Sequence, residues 1–176
     1  MFADTKGVSS TPTNTRAAIK KDVILNFIGN LVGGAGGAWL LFGAMTSIAP
    51  HGIKGFIADL SLTGFALPLL LGSILIYIYR RKHVDEALCA IYQNDYIARR
   101  LPKNRAVAIV AISIFGLLST SLLISLPLYI LYPDGVPPLI YAAVKGLWLG
   151  LISAIAVLLA TRIASLDSKQ PAPEAD

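Results

Sequence analysis

Two charges stand well inside long hydrophobic runs. Asp59 lies about six residues into one long apolar stretch and Lys145 about six residues into another. At roughly 1.5 Å per helical residue, both are about 9 Å inside the same boundary of a bilayer. A lone ionised group at that depth costs a few kcal/mol even on the most lenient insertion scale. Equal depth and opposite sign make an Asp59–Lys145 pair the economical arrangement. Such a pair either locks two helices together or binds an ion or proton. The alternative is that Lys145 stretches its aliphatic stem toward the interface while Asp59 reaches loop water.

A second pattern comprises Asn26, Gly29, Asn30, Gly33, Gly36 and Gly37. Gly29, Gly33 and Gly37 recur every four residues and so share one helix face. Glycine lets a neighbouring backbone come close, and close packing is what joins helices in lipid. Asn26 and Asn30 border that face, and a buried amide there is expected to hydrogen-bond across to another helix. Gly146, Gly150 and Ala154 repeat the spacing later in the chain. The pattern specifies tight helix packing. It leaves open whether the partner is another span of this chain, a second copy or a different protein.

Groups for other chemistry are sparse. The chain's two histidines, His51 and His83, are not at metal-ligand spacing with any other ligand. No Ser/His/Asp set, phosphate-binding glycine loop or carboxylate cluster occurs, and Cys89 has no second cysteine to pair with. No catalytic residue, cofactor or metal ligand is therefore expected, and the chain reads as non-enzymatic.

The elements that must position these residues are helices. Four apolar stretches run about Val23–Ile48, Ile53–Tyr79, Ala106–Tyr132 and Leu139–Ile163. Each exceeds the roughly 20 residues needed to cross the hydrocarbon core. With 55% hydrophobic residues in 176, too little polar surface remains to wet a soluble domain. The expected fold is an all-α integral membrane protein, a four-transmembrane-helix bundle over residues 16–164, with disordered segments at 1–15 and 165–176.

The net charge of +5 invites a nucleic-acid reading, but the basic residues are placed otherwise. Thirteen of the fifteen Lys and Arg fall on one side of the four stretches, leaving Lys54 and Lys145. This positive-inside bias predicts cytoplasmic N and C termini, and a bacterial inner membrane is the default location. No nucleic acid is implied. Arg80, Arg81, Lys82, Arg99 and Arg100 are the candidate contacts to anionic inner-leaflet headgroups. Between spans two and three, residues 85–100 carry apolar residues at helical spacing, acids first and arginines last. They predict one amphipathic helix on the inner membrane surface.

Ala49-Pro50-His51-Gly52 and Tyr132-Pro133-Asp134-Gly135 are turn-forming runs 83 residues apart. The same offset aligns Lys20 with Lys103 and Gly33 with Gly116, which suggests a tandem two-span repeat. Pro68 and Pro127 are expected to kink the spans that contain them. The function expected is that of an accessory or assembly subunit, packing against itself as a homo-oligomer or against a larger membrane complex. The rival is a small oligomeric transporter or channel that uses Asp59 and Lys145.

Overall fold

The computed structural model describes residues 12–81, 91–92, 95–102 and 104–167, and among these it is helical with no strand. Helix α1 runs Pro12–Phe42 and α2 runs Phe56–Arg81. A short α3, Tyr96–Arg100, precedes α4, Arg105–Thr120. A π-helical turn at Ser121–Ser125 leads from α4 into α5, Leu126–Leu131, and α6 runs Pro138–Asp167. Four helices are long and apolar enough to cross a membrane: α1, α2, the continuous α4–α5 and α6. That is consistent with a multi-pass membrane protein.

Several boundaries differ from the sequence expectation, each for a local reason. Helix α1 starts at Pro12, a residue suited to a first helical turn because its missing N–H would be unpaired there anyway. It stops at Phe42 rather than Ile48. Gly43 still donates to the Trp39 carbonyl, at 2.7 Å, before the chain turns. Ile48 and Val136 then exchange two backbone hydrogen bonds of 2.9 Å, tying the two Pro-Gly turns together at one end of the bundle. Gly52 and Gly135 take positive φ, 97° and 128°, as those turns require.

The segment expected as one amphipathic helix over 85–100 is broken. Residues 91–92 are helical, but Asp95 is extended and its side chain caps a new helix. Its carboxylate accepts from the Ile97 and Ala98 amides at 2.8 and 3.1 Å. An aspartate with two free amides ahead of it starts a helix better than it continues one. Residues 85–90 lie outside the described residues.

The kink expected at Pro127 appears as the π turn just before it. Proline supplies no N–H for the carbonyl one turn back, and the wider turn, with Leu126 N–H donating to the Ser121 carbonyl, takes up the register.

Neighbours in the bundle are not neighbours in sequence. Helix α1 packs on α6, α6 also packs on α2, and α2 packs on α4, while α4 barely touches α6. The central helix is therefore α6, with half of its apolar window buried against 6% for α1. Both outer contacts are glycine crossings. A Cβ at Gly146 would lie 2.6 Å from the Leu31 carbonyl oxygen and 2.7 Å from the Ala35 Cβ. At the other crossing, Gly116 lies against Gly64, and its Cβ would lie 2.9 Å from the Pro68 ring.

Because Gly116 meets backbone rather than a flexible side chain, Gly116→Leu should separate α4 from α2. Reversible unfolding in mixed micelles should show a loss of about 2 kcal/mol or more, in the range typical of overpacking. An unchanged midpoint would mean that the crossing is not tight.

Candidate functional site

The turn at Gly55 places Asp59 in the first turn of α2, where a carboxylate is favoured by the helix dipole. From α6, Tyr141 and Lys145 project on one face, four residues apart. The structure brings all three together. Lys145 Nζ lies 2.5 Å from Asp59 Oδ2, and the Tyr141 hydroxyl donates to the same oxygen. The Lys145 side chain is 8% exposed and that of Asp59 21%, so Lys145 does not extend to the interface.

Tyr141 is fully buried, its ring edge-on to Phe42 at 5.6 Å and tilted against Phe56 at 6.4 Å. Three chain segments thus meet around Tyr141: the end of α1 through Phe42, the start of α2 through Phe56 and Asp59, and the start of α6. Tyr141 is the member that the sequence reading does not single out. Its spacing of four residues from Lys145 was the available signal.

Only Oδ2 of Asp59 is engaged among the described residues. The carboxylate also lines a cleft of about 620 Å³ whose other walls include Phe42, Met45, Ile53, Lys54 and Leu62. An oxygen beside such a cleft can accept a proton or a hydrogen bond from a small ligand. Among the described residues, no group of three His, Cys, Asp or Glu is placed to hold a metal ion.

The opposite end carries a second ionic contact absent from the sequence reading. Arg162 Nε donates to Asp95 Oδ2 at 3.0 Å, and the guanidinium lies 5.1 Å from the centre of the Tyr92 ring. The Tyr92 hydroxyl reaches Thr161 at 3.1 Å, so the connection before α4 is fastened to α6. Desolvation pushes the Asp95 carboxyl up, but the Ala98 amide, the Arg162 charge and the Ile97 amide together outweigh it and hold it below the ordinary range. A lowered folded-state value means that this fastening is fully present above about pH 4 and is lost as pH falls through the carboxyl's own value. Nearby, Tyr79 donates to Asp22 Oδ2 at 2.6 Å, joining α2 to α1.

The asparagines do not bond across helices as expected. Asn26 Nδ2 donates to the Asp22 carbonyl and Asn30 Nδ2 to the Asn26 carbonyl, each one turn back at 2.9 Å. The bond between helices comes from Ser153, whose hydroxyl reaches the Asn26 carbonyl at 3.0 Å.

The glycines divide sharply. Gly146 and Gly150 press on α1, at Ala35 and Phe27. On α1 itself the close contact is made by Gly34, while Gly29, Gly33, Gly36 and Gly37 meet nothing within 4 Å of a built Cβ. Of the candidate headgroup contacts, Arg100 is exposed with its guanidinium 4.4 Å from the Tyr96 ring centre. Lys82 and the side chains of Arg80, Arg81 and Arg99 lie outside the described residues. No protein-family model matches the chain, and no curated protein or solved structure shows significant similarity to it.

Removing one partner of the ion pair leaves a charge without its counter-ion. Lys145→Met should cost about 3 kcal/mol, at the low end for buried pairs because Asp59 is partly exposed. The double variant Asp59→Leu with Lys145→Met should regain most of that loss in micellar unfolding. A double variant as unstable as the single one would show that the pair is not what Lys145 contributes.

Proposed function

We propose that this chain is a small, non-enzymatic membrane protein that serves as an accessory or assembly subunit. It joins a second copy of itself or a larger membrane complex through the uncovered face of α1. One observation carries this reading: the glycine face on α1 is open, and α1 is the least buried of the four spans. In lipid, a backbone left open by small residues is a surface ready for another helix. Asn26 and Asn30 each spend one amide N–H within α1 and border that face.

The charge bias supports an orientation with both termini and the Arg80–Arg105 connection in the cytoplasm, in a bacterial inner membrane. There Arg80, Arg81, Lys82, Arg99 and Arg100 would face anionic headgroups. The contact order supports a tandem duplication. The pairing of α1 with α6 corresponds to that of α4 with α2, and an 83-residue shift brings Gly34 of the first crossing within one residue of Gly116 and Gly64 within one residue of Gly146. Two hairpins of like orientation would share a pseudo-axis along the membrane normal.

Gly33→Leu discriminates well because the added side chain meets nothing within the chain. It should leave the protomer folded, even slightly more helical, yet reduce the mass measured in mild detergent to that of one chain without its partners. Unchanged assembly in a folded Gly33→Leu protein would end the proposal.

A second reading, transport or conduction past Asp59 and Lys145, is favoured by the carboxylate's place on the 620 Å³ cleft. Under that reading Asp59→Asn should abolish flux in reconstituted vesicles while assembly survives. A folded Asp59→Asn variant with wild-type flux would remove it.

A further inference from the structure

The weak contact between α4 and α6 leaves a groove that the assembly role does not use. It is floored by Pro68 of α2 and walled by Ile112 and Ser119 on one side and Ile155 and Leu159 on the other, with a volume of about 290 Å³. Trp148 closes it toward the middle of the bundle, its indole Nε1 donating to Thr120 Oγ1 at 2.8 Å. The Ser119 hydroxyl turns back to the Gly116 carbonyl at 3.1 Å, so it offers the groove no free donor. The interior is apolar, and it opens sideways between exposed Phe115 and Leu151.

Its dimensions select the occupant. From Trp148 to Leu159 the wall rises roughly 16 Å at about 1.5 Å per residue, which is close to half of a hydrocarbon core of about 30 Å. A helix covering that length would fill roughly 1,200 Å³, more than the groove offers. A single acyl chain of one leaflet matches that length.

Charge defines the other end. Arg105, Ile112 and Ser119 recur at seven-residue spacing on α4, and Ile155, Leu159 and Arg162 share a face on α6. Both walls therefore finish in an arginine at the basic end. Lys20, Lys21 and Arg100 lie at the same end of the bundle, where Asp22 and Asp95 are the acids with described side chains. A guanidinium has five N–H donors, so Arg162 can meet a phosphate oxygen while still holding Asp95.

We propose that the α4–α6 groove binds one anionic phospholipid of the leaflet at the basic end. One acyl chain lies in the groove and ends at Trp148, and the phosphate sits at Arg105 and Arg162. This rests on the membrane reading above but not on assembly through α1.

Native mass spectrometry of the full chain, delipidated and titrated with phosphatidylglycerol or phosphatidylcholine of identical chains, tests it. The first phosphatidylglycerol should bind at least about fivefold tighter than the first phosphatidylcholine, the preference expected from one basic residue at a membrane surface. Arg105→Gln should erase that preference. Ser119→Trp, which fills the groove, should reduce the first lipid to the affinity of later ones without changing the number of protein chains. Identical, statistical lipid binding by the wild type and Ser119→Trp would overturn the proposal, as would a Ser119→Trp protein that loses a protein partner rather than a lipid.

Should Ser119→Trp fail to fold, Trp39→Phe leaves Trp148 as the sole indole. Phosphatidylglycerol brominated near its chain end should then quench its fluorescence, saturating at one lipid per chain. Quenching that merely follows bulk lipid concentration would contradict a site. Gly33→Leu should change protein mass without changing either lipid readout, so failure of the assembly role and failure of the lipid site are separable.

Discussion

Once these helices lie in lipid, burying apolar side chains no longer gains anything, because the surroundings are as apolar as the interior. What remains to hold the bundle is the close approach of backbones, a few hydrogen bonds between helices and ion pairs such as Asp59–Lys145. The two glycine crossings, Gly146 on α1 and Gly64 with Gly116, are therefore the constraint from which the arrangement follows. They fix α6 and α2 as the inner pair and leave α1 and α4 as outer helices on opposite flanks. The same order opens the groove between α4 and α6 and uncovers the outer face of α1. Both candidate binding surfaces are consequences of which helices the glycines draw together.

The Asp59–Lys145–Tyr141 cluster plays a complementary part. Glycine contacts set distance but resist sliding poorly, whereas a carboxylate shared by an ammonium and a hydroxyl is directional. The cluster pins the start of α2 to α6 near the turns, beside the Ile48–Val136 bridge. At the far end, Asp95–Arg162 and Tyr92–Thr161 pin the connection before α4 to the same helix. Helix α6 is thus held at both ends by polar contacts and along its length by small residues, in keeping with its being the most buried span.

Much of this was legible in the chain. The four apolar runs and the two Pro-Gly turns follow from composition and local chemistry. The juxtaposition of Asp59 and Lys145 follows from equal depth and opposite charge. Helix adjacency did not follow, because helices that are apolar all round carry no stripe to say which side faces a neighbour. The α1 glycines show the limit well. Four-residue spacing pointed to Gly29, Gly33 and Gly37, yet Gly34, one residue off that register, meets Gly146 and Leu149. Asp95 was hidden for another reason: the apolar spacing around it suits a continuous helix, and only its capping bonds reveal a break.

The central claim is that hydrocarbon, not water, surrounds the outward faces, and nitroxide accessibility reads this directly. With Cys89 replaced by serine, single spin labels at Leu25, Val32, Leu122 and Leu151, all exposed in the bundle, can be measured in phospholipid vesicles. A bundle in lipid gives high collision rates with dissolved oxygen and low rates with a water-soluble nickel chelate at all four positions. High chelate accessibility at these sites, comparable to that of a label at exposed Asp134, would contradict it.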